Sequence, residues 1–125
     1  MMHRDMEVYK HSMRLVKDIY MFTKGFPKEE IYGLVSQMKR AAVSIPSNIA
    51  EGCGRKHDKE LHNFLSIALG SLIELETQVE IAEMLGFVQD QAQTKQLTTN
   101  LIQTKQLLLG FMRTVQNRLN EPKKA

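Results

Sequence analysis

The sequence predicts an all-α protein, with one antiparallel up-and-down four-helix bundle spanning residues 1–125. Three observations predict it. Apolar residues recur in steps of three and four along four long segments, the spacing of one face of an α-helix. No segment alternates apolar and polar residues with the period of two expected of a half-buried strand. Glycine and proline breakers stand close together between the segments, and short connections favour antiparallel neighbours. The helices are expected over approximately residues 5–24, 28–52, 58–85 and 90–120, each roughly 30–40 Å long at ~1.5 Å per residue.

The first segment carries two interleaved apolar lines. Val8, Leu15, Ile19 and Phe22 form one, and Met6, Tyr9, Met13, Val16 and Tyr20 form the next. Adjacent residues lie ~100° apart around a helix, so this apolar surface is wider than one core seam requires. Either the helix inserts deeply among its three partners, or Met6, Tyr9, Met13 and Tyr20 face another copy of the chain, where Tyr and Met are favoured. Spacing identifies a buried face but not its partner. Gly25-Phe26-Pro27 ends the segment, glycine suiting a C-terminal cap and proline a first helical turn.

The second segment reads Ile31, Leu34, Met38, Ala41, Ile45, Ile49 and closes at Gly52-Cys53-Gly54. A polar row lies beside that seam: Gln37, Arg40, Ser44, Asn48 and Glu51. Buried polar groups need partners, so Arg40, Ser44, Asn48 and Glu51 are expected to form a structural network with the third helix. Glu74 or Glu76 would pair with Arg40, and a bidentate pair would fix helix register. Pro46 removes a backbone donor in mid-helix. It is expected to kink the helix and free a carbonyl that Ser44, Ser47 or Asn48 helps satisfy.

The third segment has the cleanest stripe, Leu61, Leu65, Ala68, Leu72, Leu75, Val79 and Ala82, with Asp58 placed to cap its start and Gly86 to close it. The fourth offers Leu97, Leu101, Leu108, Met112, Val115 and Leu119, capped by Asp90 and stopped by Pro122 before Lys123-Lys124. Stripes with this three–four step predict near-parallel packing at about 20°.

The run Arg40-Ala41-Ala42-Val43-Ser44-Ile45-Pro46-Ser47-Asn48-Ile49-Ala50-Glu51-Gly52 resembles the signature of the four-helix-bundle proteins named for the 23S ribosomal RNA intervening sequence. Phe64-Leu65-Ser66-Ile67-Ala68-Leu69-Gly70-Ser71-Leu72-Ile73-Glu74-Leu75-Glu76-Thr77 resembles that family's second signature, and the similarity runs from Arg4-Asp5-Met6-Glu7-Val8 into the fourth helix. The resemblance implies a cytoplasmic bacterial protein whose bundle assembles as a homo-oligomeric ring, typically a homopentamer. Relatives of the family include the accessory protein of diversity-generating retroelements, a basic pentameric barrel that binds nucleic acid and a reverse transcriptase.

Composition narrows the function classes. Apolar residues make up 42% and charged residues 25% of the chain, as in ordinary soluble domains. No apolar run approaches the ~18–20 residues of a membrane span, and Met1-Met2-His3-Arg4-Asp5 does not begin a secretory signal. The single cysteine, Cys53, has no intrachain partner for a disulfide, which suits a reducing cytoplasm. No glutamate is followed three residues later by histidine, the spacing a di-iron bundle uses. The four histidines lack zinc-ligand spacing, and Gly52-Cys53-Gly54-Arg55-Lys56 lacks that of a phosphate-binding loop. No catalytic residue, cofactor or metal site is therefore expected.

Basic residues are the remaining functional lead. The formal charge of +3 is mild but compatible with an anionic polymer. Lys10, Arg14 and Lys17 share a face of the first helix, and Lys39, Arg55, Lys56 and Lys59 are expected near the second connection. Arg113, Arg118, Lys123 and Lys124 mark the C-terminal end. Arg14, Lys17, Lys39, Arg55 and Lys56 are the expected phosphate contacts, and a ring would repeat them. The expected function is that of a non-enzymatic, homo-oligomeric binding or scaffold protein contacting RNA or DNA backbone. The alternative is a protein–protein adaptor whose partner docks on the acidic third helix or on the ring.

Overall fold

The apolar stripes fold into α1 (Glu7–Phe22), α2 (Leu34–Cys53), α3 (Asp58–Met84) and α4 (Gln91–Leu119), with 3-10 turns at His3–Asp5, Thr23–Gly25 and Lys28–Glu30. The structure, a computed structural model, describes residues 2–122. Lys123 and Lys124 lie outside the described residues, among which no strand occurs. Each helix packs on its successor, and α4 closes against α1. Cross-helix pairs show antiparallel neighbours. Met6 lies beside Cys53 and Tyr20 beside Lys39. Gly52 lies beside Phe64 and Ser44 beside Ser71, while Asp58 meets Arg118 and Glu76 meets Lys105.

The core is the union of the predicted seams. Val8, Leu15, Ile19 and Phe22 of α1 are buried against Met38, Ala41, Ile45 and Ile49 of α2, the whole Leu61–Ala82 stripe of α3, and Leu97, Leu101, Leu108 and Val115 of α4. Burying a Leu or Ile side chain contributes roughly 1.5–3 kcal/mol. Small hydroxyls fill seam positions where the stripes skip a step. Ser12 completes the Val8–Leu15 line, donating to the Tyr9 carbonyl at 2.8 Å. Thr104 stands between Leu101 and Leu108, donating to the Asn100 carbonyl at 2.7 Å. Bonding a carbonyl of their own helix removes the cost of burying an unpaired hydroxyl.

Several boundaries differ from the expected ones. α2 begins at Leu34, not near residue 28, because Gly33 (φ −110°, ψ −112°) is neither helical nor extended and breaks the run. Ile31, expected in the core, is consequently 49% exposed. Met6 is extended (φ −81°, ψ 137°), so α1 starts at Glu7, two residues later than expected, and the preceding turn is separate. Asp58 does not cap α3; His57 occupies that position, and the Asp58 carboxylate instead grips Arg118. Asp90 does cap α4, its Oδ1 accepting from the Gln93 amide at 3.1 Å. Leu119, expected in the core, is exposed, and Met112 is half-buried.

Gly86 closes α3 with φ +77°, the left-handed conformation that glycine adopts without a Cβ penalty. There the Phe87 amide donates to Ala82 at 3.0 Å and the Gly86 amide to Glu83 at 3.1 Å, the paired bonds of a Schellman cap. The turn delivers Phe87 onto Phe26, 5.4 Å between centroids, and Phe26 in turn meets Phe22 edge-on at 5.3 Å. Gln89 donates to the Gly25 carbonyl at 2.9 Å across the same end. This cluster fixes the α1–α2 connection, which matters for the surface described next.

Candidate nucleic-acid interface

The polar row of α2 divides into separate parts. Ser44 is its centre: Asn48 Nδ2 donates to the Ser44 carbonyl at 2.8 Å and to its Oγ at 2.9 Å, and Ser71 Oγ from α3 donates to Ser44 Oγ at 2.8 Å. Arg40 is not a member, and it forms no ion pair with Glu74 or Glu76. Glu76 is engaged by Lys105 of α4 at 3.2 Å, and Glu74 accepts from Gln78 at 3.1 Å. Arg40 and Glu74 instead share the walls of an open polar cleft between α2 and α3, with Ser44 and Ser71 at its base. Glu51 is also outside the network, turned to Arg55 at 3.9 Å. The five residues do not join because the row from Arg40 to Glu51 spans about three helical turns, while the bond from α3 reaches it at Ser44, from Ser71.

Pro46 sits buried inside an α2 that stays helical throughout Leu34–Cys53. Ser47 and Asn48 bond the carbonyls of Val43 and Ser44, four residues behind each. They do not reach the Ala42 carbonyl, the one that proline leaves without its usual donor.

The two lines on α1 have different fates. The Val8 line is core, whereas the Met/Tyr line borders α2 on the outer surface. Met13 is 47% and Tyr20 43% exposed. Tyr9, Met13 and Val16 face Val43, Pro46 and Ala50 across an apolar groove of about 420 Å³. Met6 is largely satisfied within the chain, its Sδ 4.0 Å from Cys53 Sγ, and Tyr9 meets His3 edge-on at 4.9 Å.

The expected phosphate contacts do not converge on one spot. Arg55 and Lys56 lie in the α2–α3 connection, whereas Lys39 lies sixteen residues before Arg55, toward the other end of α2 and against Tyr20, with Nζ 4.6 Å from the ring centroid. Arg14 and Lys17 are exposed on α1 between these levels, Arg14 within 3.4 Å of His11 Nδ1. Arg55 is partly neutralised by Glu51 and by Glu60 at 4.0 Å, and its guanidinium lies 4.9 Å from the Phe64 ring centroid. Arg14, Lys17, Lys39 and Lys56 form no ion pair among the described residues. Arg118 is committed to Asp58 through two bonds of 3.0 Å, which lower the Asp58 pKa and raise that of Arg118.

Sequence reading missed a group of cations around the α1–α2 connection. Lys24, Lys28, Lys39 and Arg40 border a groove of about 550 Å³ whose apolar walls include Tyr20, Phe26 and Tyr32. Tyr32 is 96% exposed. Lys24 and Lys28 bracket the Gly25-Phe26-Pro27 breaker, and that proximity was the available signal.

Burial pushes the Cys53 thiol up from its ordinary pKa, disfavouring the thiolate a nucleophile needs. Among the described residues no three His, Cys, Asp or Glu side chains converge as a metal set. Nor, among the described residues, is any helix long and apolar enough to cross a membrane.

The fold is shared with a crystal structure of a protein of unknown function from the S23 ribosomal protein family of Bacteroides thetaiotaomicron. That similarity has a TM-score of 0.77 at 21% identity, covering 90% of this chain and 99% of the other. No curated protein matches the sequence. The family model for 23S rRNA-intervening sequence proteins matches residues 4–110, which takes in both signature runs and all of the α1–α3 framework. By that match, over well more than half of its length, the chain belongs to the 23S rRNA-intervening sequence protein family.

Proposed function

We propose that this protein is a non-enzymatic, self-assembling binding protein of the cytoplasm whose copies contact the backbone of RNA or DNA. The observation that carries the reading is the set of surface cations Arg14, Lys17, Lys39 and Lys56, which have no carboxylate partner among the described residues. Elsewhere the same surface does pair its charges, as at Asp58–Arg118 and Glu76–Lys105. Each neutralised phosphate releases a counterion, so modest clusters become effective when several copies repeat them. The apolar groove flanked by Met13 and Val43 supports self-association, because a second copy removes this surface from water. A homopentameric ring, as the family resemblance implies, would present five sets of cations.

The test is electrophoretic mobility shift with single- and double-stranded RNA and DNA at low and high salt, alongside light scattering. Binding that weakens steeply with salt, and weakens further in Arg55→Glu/Lys56→Glu, is expected. Absence of binding at low salt, or indifference to those changes, would refute the backbone reading. Met13→Glu is expected to shift the scattering mass to that of the monomer; a wild-type chain already monomeric at micromolar concentration would refute assembly.

One observation favours an adaptor instead. Ile73, Glu80 and Met84 lie along a single exposed line of α3, an apolar–acidic surface suited to a basic protein partner. Copurification of a defined protein dependent on Ile73 would select that reading.

A further inference from the structure

The groove at the α1–α2 connection has a chemistry that backbone contact alone does not require. Its rim holds Lys24, Lys28, Lys39 and Arg40, and no carboxylate lines it. Glu29 and Glu30 stand on the adjacent 3-10 turn but outside the lining. The apolar wall carries three aromatic rings, Tyr20, Phe26 and Tyr32, beside Ile31 and Val35. Its volume of about 550 Å³ falls within the ~300–1,000 Å³ typical of small-ligand sites.

The two tyrosines differ in use. Tyr20 is already engaged, Lys39 Nζ lying 4.6 Å from its ring centroid, which holds that ammonium at the groove's edge. Tyr32 follows the Lys28–Glu30 turn just before Gly33 and is 96% exposed, so both faces of its ring are available. The Phe22–Phe26–Phe87 cluster holds Phe26, six residues before Tyr32, in the groove wall. An acidic peptide would use the cations but leaves the planar ring, open on both faces, without a partner. A single strand of nucleic acid uses both features, its phosphates meeting the lysines and an unstacked base meeting the ring.

We propose that this groove binds single-stranded nucleic acid, with a base stacked on Tyr32 and flanking phosphates on Lys24, Lys28 and Lys39. The proposal rests on the nucleic-acid reading above and deepens it by naming the strand state and the stacking residue. It makes the protein a discriminator between single strand and duplex, since a paired base has no free face to offer.

The experiment is fluorescence anisotropy of the full chain with a labelled twelve-nucleotide oligouridylate and a twelve-base-pair RNA duplex, at low salt. The single strand is expected to bind more tightly. Tyr32→Ala is expected to weaken it by about tenfold, in line with the loss of one base–aromatic stack, and to erase its advantage over duplex. Tyr32→Phe, which keeps the ring, restores that advantage. With no tryptophan and three tyrosines in the chain, intrinsic tyrosine emission gives a second readout. Quenching by unlabelled oligouridylate should be smaller in Tyr32→Ala, whose exposed position leaves the core untouched. Equal affinity for strand and duplex, unaltered by Tyr32→Ala, would overturn the stacking site while leaving backbone binding intact. Absence of any binding at low salt would overturn both, as would preference for anionic phosphatidylserine vesicles over either RNA.

Discussion

Replacing Gly52 with alanine tests the helix packing on which every surface described above depends. Gly52 is buried where α2 comes closest to α3, and a Cβ there would lie 2.9 Å from Phe64 Cβ, 3.0 Å from Leu61 Cδ1 and 3.3 Å from the Leu61 carbonyl oxygen. The Leu61 methyl can rotate aside. Phe64 Cβ and the Leu61 carbonyl are fixed to the backbone of α3, so relief requires the helices to separate. Overpacking of this kind costs about 1–3 kcal/mol, and the backbone contacts place Gly52→Ala in the upper half of that range. Alanine's better helix propensity returns about 0.8–1.0 kcal/mol. The net expectation is destabilisation by about 1–2 kcal/mol, a fall in Tm of roughly 4–8 °C at the usual unfolding entropy for this length. Gly70 is the matched control, being helical in α3 with nothing within 4 Å of its added Cβ. Gly70→Ala should therefore stabilise by up to about 1 kcal/mol. Urea melts followed by circular dichroism, at one fixed protein concentration, measure both. If Gly52→Ala is as stable as the parent, or moves in the same direction as Gly70→Ala, the close α2–α3 approach is refuted.

Two further substitutions probe the polar contacts. Ser44→Ala removes the Oγ that accepts from both Asn48 and Ser71; Asn48 keeps its bond to the Ser44 carbonyl and the cleft is open to water, so the loss in the same melts should be about 0.5–1.5 kcal/mol, and a loss below a few tenths would show that the bridge is dispensable. The Asp58–Arg118 pair has a pH signature. Arg118, hydrogen-bonded to it, holds the Asp58 carboxyl below the ordinary carboxylate range. A depressed folded-state pKa means the stabilisation is present above the unfolded value, ~3.9, and is lost as pH falls through the folded one. The pair is solvent-facing, so Arg118→Ala should cost only about 0.2–1 kcal/mol at pH 7. That difference from the parent chain should shrink as pH falls below ~3.9, and a gap unchanged by acid would assign the effect to packing.

The sequence by itself determined the four helices, their antiparallel order and most of the core, because a stripe with a three–four step has only one way to leave water. The Val8–Phe22 line and the Leu61–Ala82 stripe were legible for that reason. Gly86 and Asp90 were legible too, since caps act over one helical turn and need no distant partner. Periodicity also separated the two lines on α1, although only coordinates show that the second one lines a groove with α2. What tertiary structure decided was pairing. Arg40 had two candidate carboxylates on α3, yet Lys105 took Glu76 from the other side and Gln78 bonded Glu74. Asp58 had the right position for a cap but met Arg118, sixty residues away in sequence. The cationic groove belongs to the same class, since Lys24, Lys28, Lys39 and Arg40 become neighbours of Tyr32 only once the connection folds back over α1. Helix formation and stripe burial are local consequences of residue order. Which charge meets which depends on helix register and on competition among partners far apart in the chain, and those are set only when all four helices are packed together.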